Sequence, residues 1–86
     1  MFLNIYMKDL LTSIKCRLEE FTNNVYVDYE RESILLEIHE DYFDEVIREV
    51  KKHSDCNIMF VKRLKKDTVT ILISQIVIID VDHLNE

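Results

Sequence analysis

The chain has no glycine and no proline among its 86 residues, and reading along it finds no alanine. Average usage would place about six glycines and four prolines in this length. Without glycine, the phosphate-cradling P-loop, the dinucleotide-binding turn and the standard EF-hand loop are excluded, because each needs backbone that a Cβ obstructs. The nucleophile elbow, with glycine on both sides of its serine, is excluded for the same reason. Much of the recognisable enzyme repertoire goes with them. The three missing residue types share GC-rich codons, while isoleucine, asparagine, lysine and the acids are plentiful. An AT-rich genome accounts for this, and it fits a source in a virus or other mobile element as well as a low-GC cell.

Two cysteines, Cys16 and Cys56, are too few for the disulfide framework of a small secreted domain. Met1 to Met7 lacks the basic start of a signal peptide, and Asn4 interrupts its apolar residues. The longest apolar run, Val69 to Ile79, contains Thr70, Ser74 and Gln75, and it falls short of the roughly 20 residues a bilayer-crossing helix requires. The expectation is a soluble protein of the cytoplasm, or of the host cell interior if the source is viral, with no membrane partner.

What is present is a globular balance: 48% hydrophobic and 33% charged residues. The length predicts a single domain over residues 1–86. So small a domain buries only about 60% of its unfolded-chain surface, and self-association is one common remedy.

Leu3, Met7, Leu10, Ile14, Leu18 and Phe21 recur at steps of three and four, which predicts a helix over about residues 3–22. Asn23 and Asn24 would end it in left-handed backbone. Val25, Val27 and Tyr29 alternate with Tyr26 and Asp28, and Ile34, Leu36 and Ile38 with Leu35, Glu37 and His39. With a turn at Glu30–Ser33 they predict a hairpin pairing Tyr29 with Ile34, Val27 with Leu36 and Val25 with Ile38. Phe43, Val46, Ile47 and Val50 predict a second helix from about Tyr42 to His53, acidic at its start and basic at its end as the helix dipole favours. A second hairpin follows: Ile58 to Leu64, a turn at Lys65–Asp67, and a return from Thr68 to about Val81. Val69, Ile71, Ile73, Val77, Ile79 and Val81 would share one face of that return, with Ile76 and Ile78 on the other. The return exceeds the usual strand length, and Ser74–Gln75 is where a bulge is expected.

The predicted fold is therefore α+β: two helices packed on one face of a four-stranded antiparallel sheet, in the order α-β-β-α-β-β. If Met1–Tyr6 formed a strand instead, the order would be the ferredoxin-like β-α-β-β-α-β plus one strand.

No constellation carries clear chemistry. His39, His53, Cys56, His83 and Cys16 have metal-ligand chemistry, but only His53 and Cys56 are closely spaced, and a structural zinc site needs four ligands. Glu40–Asp41 and Asp44–Glu45 are explained by the start of a helix. Cys56 with His39 or His53 could form a nucleophile pair, though nothing in the spacing requires it. No catalytic residue, metal or cofactor is expected, and no small-molecule substrate is evident.

Charge is segregated. Net charge is −6. From Asp28 to Glu49 nine carboxylates face only Arg31 and Arg48, while Lys51, Lys52, Lys62, Arg63, Lys65 and Lys66 lie in a stretch whose sole acid is Asp55. A basic hairpin can grip nucleic-acid phosphates, and lysines at a hairpin tip also deter edge-to-edge aggregation. The C-terminal residues Ile76, Val77, Ile78, Ile79 and Val81 are apolar on both faces and would be covered by a second chain. The leading expectation is a small non-enzymatic homodimer, with those five residues as the dimer interface, acting through a macromolecular, in the first place protein, partner. A second reading is a nucleic-acid-binding dimer using Lys62, Arg63, Lys65 and Lys66, with Lys51 and Lys52 as a further patch. A third is an acidic inhibitor or immunity-type protein presenting Glu40, Asp41, Asp44, Glu45 and Glu49 to a basic partner.

Overall fold

The computed structural model describes residues 5–52 and 54–79. Over them the chain follows the predicted α+β order. Helix α1 (Ile5–Leu18) leads to strands β1 (Val25–Asp28) and β2 (Ser33–His39). A 3-10 turn at Glu40–Tyr42 enters helix α2 (Phe43–Val50), and β3 (Ser54–Arg63) and β4 (Thr68–Ile78) follow. The strands form one antiparallel sheet in the order β1-β2-β4-β3. The ferredoxin-like alternative falls in part on residues 1–4, outside the described residues; Ile5 and Tyr6 are helical.

One apolar layer holds the fold together. Met7, Leu11, Ile14 and Leu18 of α1 and Val46 and Val50 of α2 lie against Val25, Ile34, Leu36, Ile38, Val69, Ile71 and Ile73 of the sheet. The α1 stripe runs one residue off the predicted line at its centre, since Leu11 is sealed and Leu10 only half-buried. Each fully buried Leu or Ile contributes roughly 1.5–3 kcal/mol of transfer free energy, so these positions dominate stability.

Several predicted boundaries are corrected. Helix α1 ends at Leu18, and neither Asn23 nor Asn24 has positive φ. The chain leaves instead through a tightened turn, with Phe21 N donating to Leu18 O at 2.9 Å. The Thr22 hydroxyl then donates to Glu37 O at 2.6 Å and accepts from Asn24 N at 3.1 Å, which fastens the exit to β2. Left-handed backbone occurs at Glu32 (φ 52°) and Gln75 (φ 53°), where a glycine would ordinarily be favoured.

The first hairpin pairs Val27 with Ile34 and Val25 with Leu36, two residues from the predicted register. The cause is local. The Asp28 carboxylate accepts from Arg31 N at 3.1 Å, closing the turn and ending β1 before Tyr29. Because strands repeat every two residues, this slip leaves the buried face unchanged. Helix α2 is shorter than predicted. The His39 Nδ1 accepts from Asp41 N at 3.2 Å and holds the entry as a 3-10 turn, while Lys51 closes the exit and His53 lies outside the described residues.

The second hairpin holds the largest correction. β3 begins at Ser54, four residues before the predicted start, and the buried Ser54 hydroxyl donates to Val50 O to tie it to α2. Asp55 pairs with Val77 and Asn57 with Ser74, so Cys56 alone faces both Gln75 and Ile76. This is the expected bulge at Ser74–Gln75, and the extra residue reverses the alternation beyond it. Ile76, not Val77, therefore continues the buried face after Ile73: Ile76 is 5% exposed and Val77 61%. A second irregularity, between Phe60 and Lys62, places Val61 as an extra residue on β3.

Candidate interaction surfaces

Both helices pack on the same side of the sheet, and no described element covers the other side. On that open side one apolar row crosses all four strands: Tyr26 pairs with Leu35, Leu35 with Leu72, and Leu72 with Met59. Tyr26 and Met59 are at least half exposed. The neighbouring row is Glu37, Thr70 and Lys62. Thr70 is buried between its neighbours, and its hydroxyl meets no hydrogen-bond partner among the described residues. A shallow hollow of about 360 Å³ lies at one end of the face, with Tyr26, Leu35 and Leu72 in its lining. The alternation in the sequence sets Tyr26, Leu35 and Leu72 opposite the buried positions of their own strands, and it assigns no face to Met59. That they line up as one row depends on cross-strand registers that only the turns and bulges decide.

The basic hairpin is real but smaller than its charge count. Lys62, Lys65 and Lys66 are exposed and have no ion pair among the described residues. Arg63 is committed: its Nη1 donates to Glu40 Oε2 at 2.7 Å and to Lys66 O at 2.6 Å. Glu40 N donates to Asp67 O at 2.8 Å, so the hairpin tip is anchored to the entry of α2. Lys51 and Lys52 follow α2, at the far end of the ten-residue strand β3. At about 3.3 Å per residue they stand roughly 30 Å from the tip, and the two basic patches are not brought together.

The acidic group is divided too. Glu40 is held by Arg63, and Asp41 lies 3.5 Å from His39. Glu49 takes the Lys52 ammonium at 2.7 Å, and that contact holds its carboxyl below the usual carboxylate range. Asp44 and Glu45 sit exposed in the first turn of α2 with no ion pair among the described residues. Of the predicted interface at the end of β4, Ile76 belongs to the protein's own core, Val77 and Ile78 are exposed, Ile79 is half-buried, and Val81 lies outside the described residues. Past Ile73, β4 pairs with β3 alone, and its other edge has no described strand beside it.

Among the described residues the candidate chemical groups are not gathered. His39 pairs with Thr68 at one end of β4, whereas Cys56 lies beside the bulge near the other. About 20 Å of strand separates them, so no Cys–His pair forms between these two. His53 and His83 lie outside the described residues, and no group of three or more metal-ligating side chains is gathered among the described ones. A hollow of about 300 Å³ beside Cys56 is lined by Asp55, Asn57, Gln75 and Val77. Burial raises the Cys56 thiol, with Asp55 adding and Lys51 opposing, so it stays protonated at neutral pH and is a weak nucleophile. Cys16 is exposed. With a thiol-alkylating reagent at neutral pH, Cys16 is expected to react at least about tenfold faster than Cys56. Equal rates, read by peptide mass spectrometry, would show that β3 separates from β4 at the bulge facing Cys56.

No described helix is long and apolar enough to cross a membrane. No family model, curated protein or solved structure matches this chain.

Proposed function

We propose that this chain is a small homodimeric binding protein that works through macromolecular contact rather than catalysis. The observation that carries this reading is the open face of the sheet, where Tyr26, Leu35, Leu72 and Met59 form an apolar row with no described layer over it. Such a face is favourably buried against another macromolecule. A single small core also gains from a second copy. The test is absolute mass by light scattering behind a sizing column over a hundred-fold range of concentration. A mass of twice 10.4 kDa that persists on dilution is the expected result. A monomer at every concentration would sink the homodimer.

A second reading, nucleic-acid binding by the dimer, is favoured by one observation: Lys62, Lys65 and Lys66 project without ion-pair partners from an anchored hairpin tip. Two copies would present six such lysines, or four where Lys62 is taken up in the contact between the copies. Against it stands the net charge of −6, which repels phosphate at long range. Retention on heparin at about 50 mM salt, lost steeply as salt rises and abolished by Lys62→Glu with Lys65→Glu, is the expected behaviour under this reading. Flow-through at that salt would remove it.

A further inference from the structure

We propose that the open sheet face is itself the surface through which two copies of the chain join, with the two-fold axis running along β4; this rests on the homodimeric reading and gives it an interface. The argument is charge complementarity across the face. Glu37 on β2 and Lys62 on β3 occupy one row, separated by Thr70 on β4. Neither side chain has an ion pair among the described residues. Strands in a sheet lie about 4.8 Å apart, so roughly 10 Å separates the carboxylate-bearing strand from the ammonium-bearing one.

A two-fold axis parallel to β4 keeps each row level and exchanges left for right. β2 of one copy then lies over β3 of the other, and β4 lies over β4. In the charged row Glu37 faces Lys62 of the second copy, and the contact occurs twice. In the apolar row Leu72 meets Leu72 of the second copy, and Leu35 meets Met59, again twice. Thr70 lies on the axis, and its short side chain leaves room for the longer Glu37 and Lys62 side chains to converge. Sheets packed face to face stand about 10 Å apart, the depth of one interdigitated layer of such residues. An axis turned a right angle in the plane of the sheet, through the Thr70 row, would stack Glu37 on Glu37 and Lys62 on Lys62, and like charges so placed are penalised. One orientation therefore matches acid to base and apolar to apolar together.

The experiment is a charge swap read as a dimer dissociation constant, by light scattering on dilution at about 100 mM salt, with circular dichroism to confirm folding. Glu37→Lys alone and Lys62→Glu alone should each weaken the dimer at least about tenfold, because each sets like charges together at two symmetric places. The double variant Glu37→Lys, Lys62→Glu should return to within about threefold of the unaltered chain, the coupling expected of residues in direct contact. Leu72→Glu places two carboxylates at the axis and should abolish the dimer while leaving the monomer folded. A monomer for the unaltered chain would overturn both this inference and the homodimer reading. A dimer that ignores the single charge changes, adds their losses in the double variant, or survives Leu72→Glu would overturn this interface alone and leave the homodimer standing.

Discussion

Leu36→Ala is expected to remove about 3 kcal/mol of folding stability, within the roughly 2–5 kcal/mol range for a buried leucine truncated in a packed core. Leu36 is 0% exposed and sits on β2 between β1 and β4, facing the helices. A chain of 86 residues has roughly 4–13 kcal/mol in total at about 0.05–0.15 kcal/mol per residue, so this one change takes a large share. At roughly 4–8 °C per kcal/mol for a domain of this size, the melting temperature should fall by about 12–24 °C. The control is the next residue. Leu35 points to the open face and is 38% exposed, so Leu35→Ala should cost under about 1 kcal/mol when measured at concentrations that favour the monomer. Urea unfolding followed by circular dichroism makes both measurements. Comparable losses at the two positions would mean that the open face is covered and that β2 is buried on both sides.

That contrast was legible in the sequence, because Ile34, Leu36 and Ile38 alternate with Leu35, Glu37 and His39 and a period of two needs no tertiary information. The same holds for α2, whose Val46 and Val50 are one helical turn apart and both buried. The turns were not legible. The sequence pattern allows Val25, Val27 and Tyr29 to pair with β2 in any register that differs by two, since every such slip buries the same face. What decides it is a single side-chain contact, Asp28 accepting from Arg31 N, together with left-handed backbone at Glu32. In a chain without glycine, the usual marker of such a position is missing.

The candidate surface was less legible than the fold, and for a related reason. Charge runs along a chain are visible, but which charges remain available depends on partners brought in from afar. Arg63 reaches Glu40 across 23 positions, which draws one member from the basic group and one from the acidic group at once. Lys51 and Lys52 share a sequence neighbourhood with Lys62, yet an extended strand carries them to opposite ends of the sheet. The open apolar row is the converse case. Tyr26, Leu35, Met59 and Leu72 span 46 positions and show no pattern as a set; antiparallel registers place them side by side.

The bulge gives the second large effect, and it bears on both fold and interface. Ile76→Asp is expected to cost about 4 kcal/mol or more at neutral pH, because it removes a buried apolar side chain and puts a carboxylate in its place. Val77→Asp should cost under about 1 kcal/mol: Val77 is largely exposed, and the chief penalty is the like charge of Asp55 directly opposite. In a strand without the bulge the order would reverse, since Val77 would continue the face of Val69, Ile71 and Ile73. Acid supplies an independent check. Burial raises the carboxyl of the Ile76→Asp variant above its unfolded value near 4. The folded state then binds more protons than the unfolded state between the two values, so stability rises as pH falls across that window. Val77→Asp should recover only its smaller penalty, the repulsion from Asp55, as the new carboxyl takes up a proton. The same two proteins divide the possible places of self-association. If Val77→Asp leaves the dimer intact, the contact stops short of the end of β4, as an interface confined to the Leu72 row requires. If it separates the copies, the interface reaches the end of β4, where Val77 stands on the open face beyond the bulge.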